Sequence, residues 1–81
     1  QNYPNPFNPS TMIEFSLPIA QNVTVSVYDV LGREVATLVD GMMDAGVHNV
    51  AFDASELSSG VYIYNIRTQG FSASKKMLLT K

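Results

Sequence analysis

The run Gly60 to Arg67, GVYIYNIR, constrains the fold most. Val61, Tyr62, Ile63, Tyr64 and Ile66 are β-branched or aromatic, and such side chains fit a pleated, packed surface. Apolar residues fall on both alternating faces, which predicts a central strand covered on both sides. The cluster Leu57-Ser58-Ser59-Gly60 before it reads as a turn, and Gln69-Gly70 after it reads as another.

The rest of the chain repeats this punctuation. Residues 1–10, QNYPNPFNPS, carry Pro4, Pro6 and Pro9, which favour extended or polyproline II backbone. Tyr3 and Phe7 are too apolar for a free linker, so this lead-in is expected to dock as an edge strand. From Thr11 to Leu17 the sequence alternates, with Ile13, Phe15 and Leu17 inward and Met12, Glu14 and Ser16 outward. Val23 to Tyr28 alternates again, with Val23, Val25 and Val27 on one face. With Pro18 and Ala20-Gln21-Asn22 between them, these two runs predict an antiparallel hairpin. Asp29-Val30-Leu31-Gly32 predicts a turn with glycine at a positive φ. A regular strand cannot bury both Val35 and Leu38, so a bulge or one helical turn is expected between Arg33 and Val39.

Asp40-Gly41 and Ala45-Gly46 are expected to bracket a loop holding Met42 and Met43. Val47 to Asp53 then alternates with His48, Val50 and Phe52 on one face. Asp53-Ala54-Ser55-Glu56 has capping-box spacing, which predicts a single helical turn before Leu57. Phe71 to Thr80 is the last strand, with Phe71, Ala73, Met77 and Leu79 facing inward. Lys75 interrupts that face, and together with Lys76 it protects the edge against pairing with other chains.

The sum is a single all-β domain over residues 1–81: the lead-in, then an antiparallel sandwich of about seven strands over 11–81. A leucine, a turn, a glycine and then Tyr62 also fits the start of strand F in an immunoglobulin-like or fibronectin-III-like sandwich. There a corner tyrosine bonds back to the preceding loop. Tyr64 then stands where an antibody domain has its second cysteine. An ordinary buried strand after a turn fits the same residues.

Chemistry is sparse. The chain has 81 residues, no cysteine and one histidine. His48 has no second histidine at ligand spacing, and a rim position suits it better than metal ligation. Asp29, Asp40, Asp44 and Asp53 all fall at turns, where aspartate is favoured for backbone reasons. They lack EF-hand spacing, although convergence on a calcium ion stays open. The serines lie in no nucleophile elbow, and the glycines form no phosphate loop. Tyr3, Tyr28, Tyr62 and Tyr64 suit a core more readily than a sugar platform. No enzyme activity and no cofactor are therefore expected. No run is long enough for membrane insertion as a span. All seven acidic residues precede Ser58 and four of the five basic residues follow Gly60, which leaves a basic C-terminal end. That end either balances neighbouring acidic strands or is read by a partner. A net charge of −2 does not suit nucleic acid.

Four segments together carry a family likeness. Asn2-Tyr3-Pro4-Asn5-Pro6-Phe7-Asn8-Pro9 resembles the YPNPF opening of the C-terminal sorting domains of bacterial type IX secretion, type A. Val27-Tyr28-Asp29-Val30-Leu31-Gly32-Arg33-Glu34-Val35 is similar to that family's V-Y-D-x-x-G-R-x-V. Ser59-Gly60-Val61-Tyr62-Ile63-Tyr64 is similar to S-G-x-Y-x-Y, and Lys76-Met77-Leu78-Leu79-Thr80-Lys81 to its lysine-bounded tail. Ig-like domains of flagellar hook-capping proteins share part of the pattern, including Gly46-Val47-His48-Asn49-Val50. The resemblance implies a folded sandwich at the C-terminus of a secreted cargo, part of a longer protein. It implies recognition by the outer-membrane type IX machinery after passage through the periplasm. Cleavage by a sortase-like peptidase and surface attachment or release would follow. The implied signal is Gly60, Val61, Tyr62, Tyr64, Lys75, Lys76, Met77, Leu78, Leu79 and Lys81, and either Lys75 or Lys76 could match the family's lysine. The other reading is a structural or carbohydrate-binding Ig-like accessory module of a secreted enzyme. Edge-strand self-association is possible for either.

Overall fold

The computed structural model describes residues 2–3 and 10–80, and for Asn2 and Tyr3 the backbone alone. Among the described residues seven strands alternate with connecting segments: β1 (Asn2–Tyr3), β2 (Ser10–Leu17), β3 (Gln21–Asp29), β4 (Glu34–Met43), β5 (Gly46–Asp53), β6 (Gly60–Thr68) and β7 (Phe71–Leu79). They form two antiparallel sheets, one in the order β1-β2-β5 and the other β4-β3-β6-β7. The all-β sandwich expected from the alternation is therefore the fold, with three strands facing four. The expected lead-in pairs through β1, with Asn2 opposite Ile13 and Tyr3 opposite Met12. Docking of the Tyr3 and Phe7 side chains, and the motif positions Pro4, Asn5, Pro6, Phe7 and Asn8, lie outside the described residues.

The core is the set of inward faces predicted by period-two alternation. Ile13, Leu17 and Phe52 come from the smaller sheet. Val23, Val25, Val27, Tyr62, Tyr64, Ile66, Met77 and Leu79 come from the larger, and all of them are buried. Each closes a face that a one-residue slip in register would turn to water.

Four local expectations are corrected. β2 and β3 do not form a hairpin. β2 pairs with β5 along its whole length and with β1 on its other side, and the link after Pro18 carries β3 into the opposite sheet. No loop opens at Asp40-Gly41. β4 runs on to Met43 with Gly41 paired to Val23, so Gly41 serves as a strand residue. The turn after β5 is not helical: the Leu57 amide bonds the Ala54 carbonyl at 3.0 Å, and the Asp53 carboxylate accepts the Ser55 amide at 3.0 Å. Asp53 thus closes an Asx turn. Phe71 starts β7 at the open end of the sandwich, too far along to reach the core, and is 55% exposed. β6 is central in the sense of pairing with both β3 and β7, but it buries only one face fully. Val61 and Ile63 on the other face are half-buried.

The irregularity expected between Arg33 and Val39 is a pair of bulges. The β3–β4 register slips once between Val39 and Thr37 and again between Ala36 and Glu34, which leaves Leu38 and Val35 as the extra residues. Both then pack against the core, which a regular strand would forbid.

Candidate functional site

The β6–β7 hairpin has two faces with different roles. On the inner face Tyr62 lies opposite Met77, and Gly60 lies opposite Leu79. Tyr62 is the corner residue: its hydroxyl donates to the Ser58 carbonyl at 2.7 Å. That bond ties the turn before β6 to the strand, as the spacing predicted. Gly60 opens the strand at φ 154°, a value L-residues rarely adopt. Tyr64 is fully buried, and its hydroxyl has no hydrogen-bond partner among the described residues. Desolvation raises its pKa above the ordinary 10.0. Lys75 lies opposite Tyr64 in the register yet is exposed.

On the outer face Val61 lies opposite Leu78 and Ile63 opposite Lys76. Tyr28 of β3 adjoins Ile63 from the other side. Val61, Lys76, Met77 and Leu78 line a depression of about 250 Å³, and Leu78 is 46% exposed. Of the residues expected to carry recognition, Val61, Lys76 and Leu78 are therefore brought together at the surface, and Lys75, next to Lys76 in the chain, is exposed as well. Tyr62, Tyr64, Met77 and Leu79 are brought together in the core. Lys81 lies outside the described residues.

The segment Asp29 to Arg33 is a self-contained turn at the same end. The Asp29 carboxylate accepts the Leu31 amide at 2.9 Å and the Arg33 amide at 3.0 Å through Oδ1, and the Arg33 Nε at 2.8 Å through Oδ2. These bonds, led by the Arg33 amide, hold its pKa below the usual 3.8. Gly32 sits at φ 83° and donates to the Asp29 carbonyl at 3.0 Å. Asp29, Gly32 and Arg33 thus fix a turn whose tip holds Val30 and Leu31 68% and 74% exposed. The register places Asp29 beside Tyr62, so this apolar tip adjoins the end of the sheet that holds Val61 and Leu78.

Several surface features escaped the sequence reading. Ile63 and Tyr28 belong to the outer apolar strip; alternation puts Tyr28 on the face away from Val23, Val25 and Val27, but its place beside Ile63 needs the register to be known. At the opposite end, Leu17, Pro18, Ile19 and Phe71 line an apolar cleft of about 340 Å³. It joins two turns far apart in sequence, and no local signal marks it. His48 stands at the rim: its Nε2 lies 2.6 Å from the Asp44 carbonyl, and its ring packs 5.6 Å from that of Phe15. Among the described residues no His, Asp and Glu cluster could hold a metal ion, and no helix is long and apolar enough to cross a membrane.

Residues 1–80 match the family model described as the secretion system C-terminal sorting domain. The chain belongs to that family. No curated protein matches it. As a member, it is a type IX secretion signal domain that directs secretion, and the family is non-catalytic. The sorting domain acts by engaging the secretion machinery, and its cargo is destined for the cell surface or the medium.

Proposed function

We propose that the machinery reads the sorting domain on the β6–β7 hairpin, through Val61, Lys75, Lys76 and Leu78. Gly60, Tyr62, Tyr64, Met77 and Leu79 hold that surface in place from behind, and Lys81 adds a further positive charge to the signal sequence. A receptor suited to it offers acidic groups around an apolar contact, because charge sets orientation and the apolar pair supplies contact area. On this reading the domain sits behind an N-terminal cargo in transit through the periplasm. The outer-membrane machinery engages it, a sortase-like peptidase removes it, and the cargo is attached or released.

The observation that carries the reading is the division of labour on β7: Lys75, Lys76 and Leu78 face water while Met77 and Leu79 are buried. Truncation of residues 75–81 would strip two core side chains and so test folding. Charge reversal tests recognition alone. Lys75→Glu with Lys76→Glu, carried on a Sec-exported reporter in a type IX host, is expected to leave the melt within about 0.5 kcal/mol of wild type, as surface changes usually do. The reporter should accumulate in the periplasm. Normal export of the folded double variant would overturn the proposal.

A further inference from the structure

A sandwich must manage the strands that end its sheets, because unpaired backbone groups there template pairing with another chain. Here the guards are uneven. β4 ends the larger sheet on one side and carries two bulges, at Val35 and Leu38, which bend it away from a flat approach. β7 ends it on the other side and carries Lys75 and Lys76. β5 ends the smaller sheet, and over Gly46–Asp53 it holds no proline, no lysine or arginine and no register shift. Among the described residues no strand lies beside its outer edge over residues 46–51.

We propose that β5 pairs with β5 of a second copy of this domain, antiparallel about a two-fold axis at Asn49. The sequence of the strand is self-complementary in that register. Asn49 meets Asn49, where two amides can exchange hydrogen bonds. Val47 meets Ala51 on the outer face, and His48 meets Val50 on the inner face. The only formal charge in the strand, Asp53, falls opposite Ala45, with Asp44 one place beyond the strand, so no charge within the strand is paired directly with its like. Val47 is 64% exposed in the single domain, and Met12, which adjoins Ala51 from β2, is 43% exposed. Pairing places Val47 of one copy beside Ala51 and Met12 of the other and joins two three-stranded sheets into one. This surface lies on the sheet opposite β6–β7, so a dimer leaves the proposed recognition face open.

The test is sedimentation of the 1–81 domain from micromolar to millimolar concentration, with amide hydrogen exchange read at residues 46–51. The expected result is a monomer–dimer equilibrium in which those amides slow as concentration rises. Val47→Lys with Ala51→Lys sets lysines against lysines across the two-fold and should leave a monomer with an unchanged melt. Val47→Glu with Ala51→Glu should do the same. A mixture of the two variants should restore dimer and protection of the β5 amides. A wild type that stays monomeric throughout would overturn the proposal. So would lysine and glutamate variants that each dimerise as the wild type does. Neither result bears on export, which the β7 charge reversal reads separately.

Discussion

Replacing Tyr64 with phenylalanine deletes one oxygen from the centre of the larger sheet. That oxygen is fully buried and neither accepts nor donates a hydrogen bond among the described residues. A buried polar group without a partner costs about 1–3 kcal/mol of lost hydration. Phenylalanine returns that cost and leaves an oxygen-sized void. At ~24 cal/mol per Å³ and about 10–15 Å³, the void costs about 0.3 kcal/mol. The net expectation is a gain of about 1–2.5 kcal/mol. For a domain of this size each kilocalorie raises the midpoint by about 4–8 °C, so the rise should lie between about 4 and 20 °C.

Urea unfolding of both proteins measures the free energy, and an unchanged slope would show that the unfolded reference has not moved. The alkaline limb gives an independent reading. Burial raises the Tyr64 pKa, so above 10.0 the unfolded chain loses its proton before the folded one does. Wild-type stability from this group is full below 10.0 and falls as pH climbs toward the raised value. Tyr64→Phe should lack that part of the decline. A destabilised variant would refute the reasoning, because it would mean that the hydroxyl has a partner whose bond outweighs its desolvation.

The same substitution two residues earlier should have the opposite sign. Tyr62→Phe breaks the 2.7 Å bond to the Ser58 carbonyl and should cost about 0.5–1.5 kcal/mol in the same urea assay. Asp29→Asn keeps an oxygen for the Leu31 and Arg33 amides but removes the charge. The lowered Asp29 pKa gives stability that is full above 3.8 and lost as pH falls through the lowered value. Melts taken from about pH 5 to about pH 2 should therefore fall less steeply for Asp29→Asn than for wild type.

Where the sequence was readable, one geometric rule was enough. Ile13, Val23, Val25, Val27 and Phe52 are buried because alternate residues of a strand share a face, and that needs no partner to be known. Val35 and Leu38 exposed a break in the rule, and the break proved to be two bulges. The corner bond of Tyr62 was legible because turn and tyrosine are neighbours in the chain. Sheet membership was not legible. The hairpin expected between β2 and β3 fails because local spacing cannot distinguish a turn that folds back from one that crosses to the other sheet. The outer strip of Tyr28, Ile63 and Lys76 was hidden for the same reason: it exists only once three strands are in register. The resemblance supplied the family's residues, but not which of them face a partner.

That last distinction changes how loss of secretion is to be read. From Lys76 to Leu79 the residues named by the motif alternate between water and core, so neighbouring substitutions probe different links of the chain. Met77 and Leu79 are fully buried or nearly so, and a change there acts first on stability and only through it on recognition. Lys76 and Leu78, each flanking Met77, are exposed on the opposite face and leave the core untouched. On the proposed reading a destabilised domain should fail export because it presents no ordered hairpin, whereas a charge-reversed one should fail while folded. Only the second failure identifies a contact with the machinery. A scan of this strand therefore separates signal from scaffold when each variant's melt is measured beside its export. The burial pattern predicts that defects at Lys75, Lys76 and Leu78 persist in variants with wild-type stability, while defects at Met77 and Leu79 track the melting temperature.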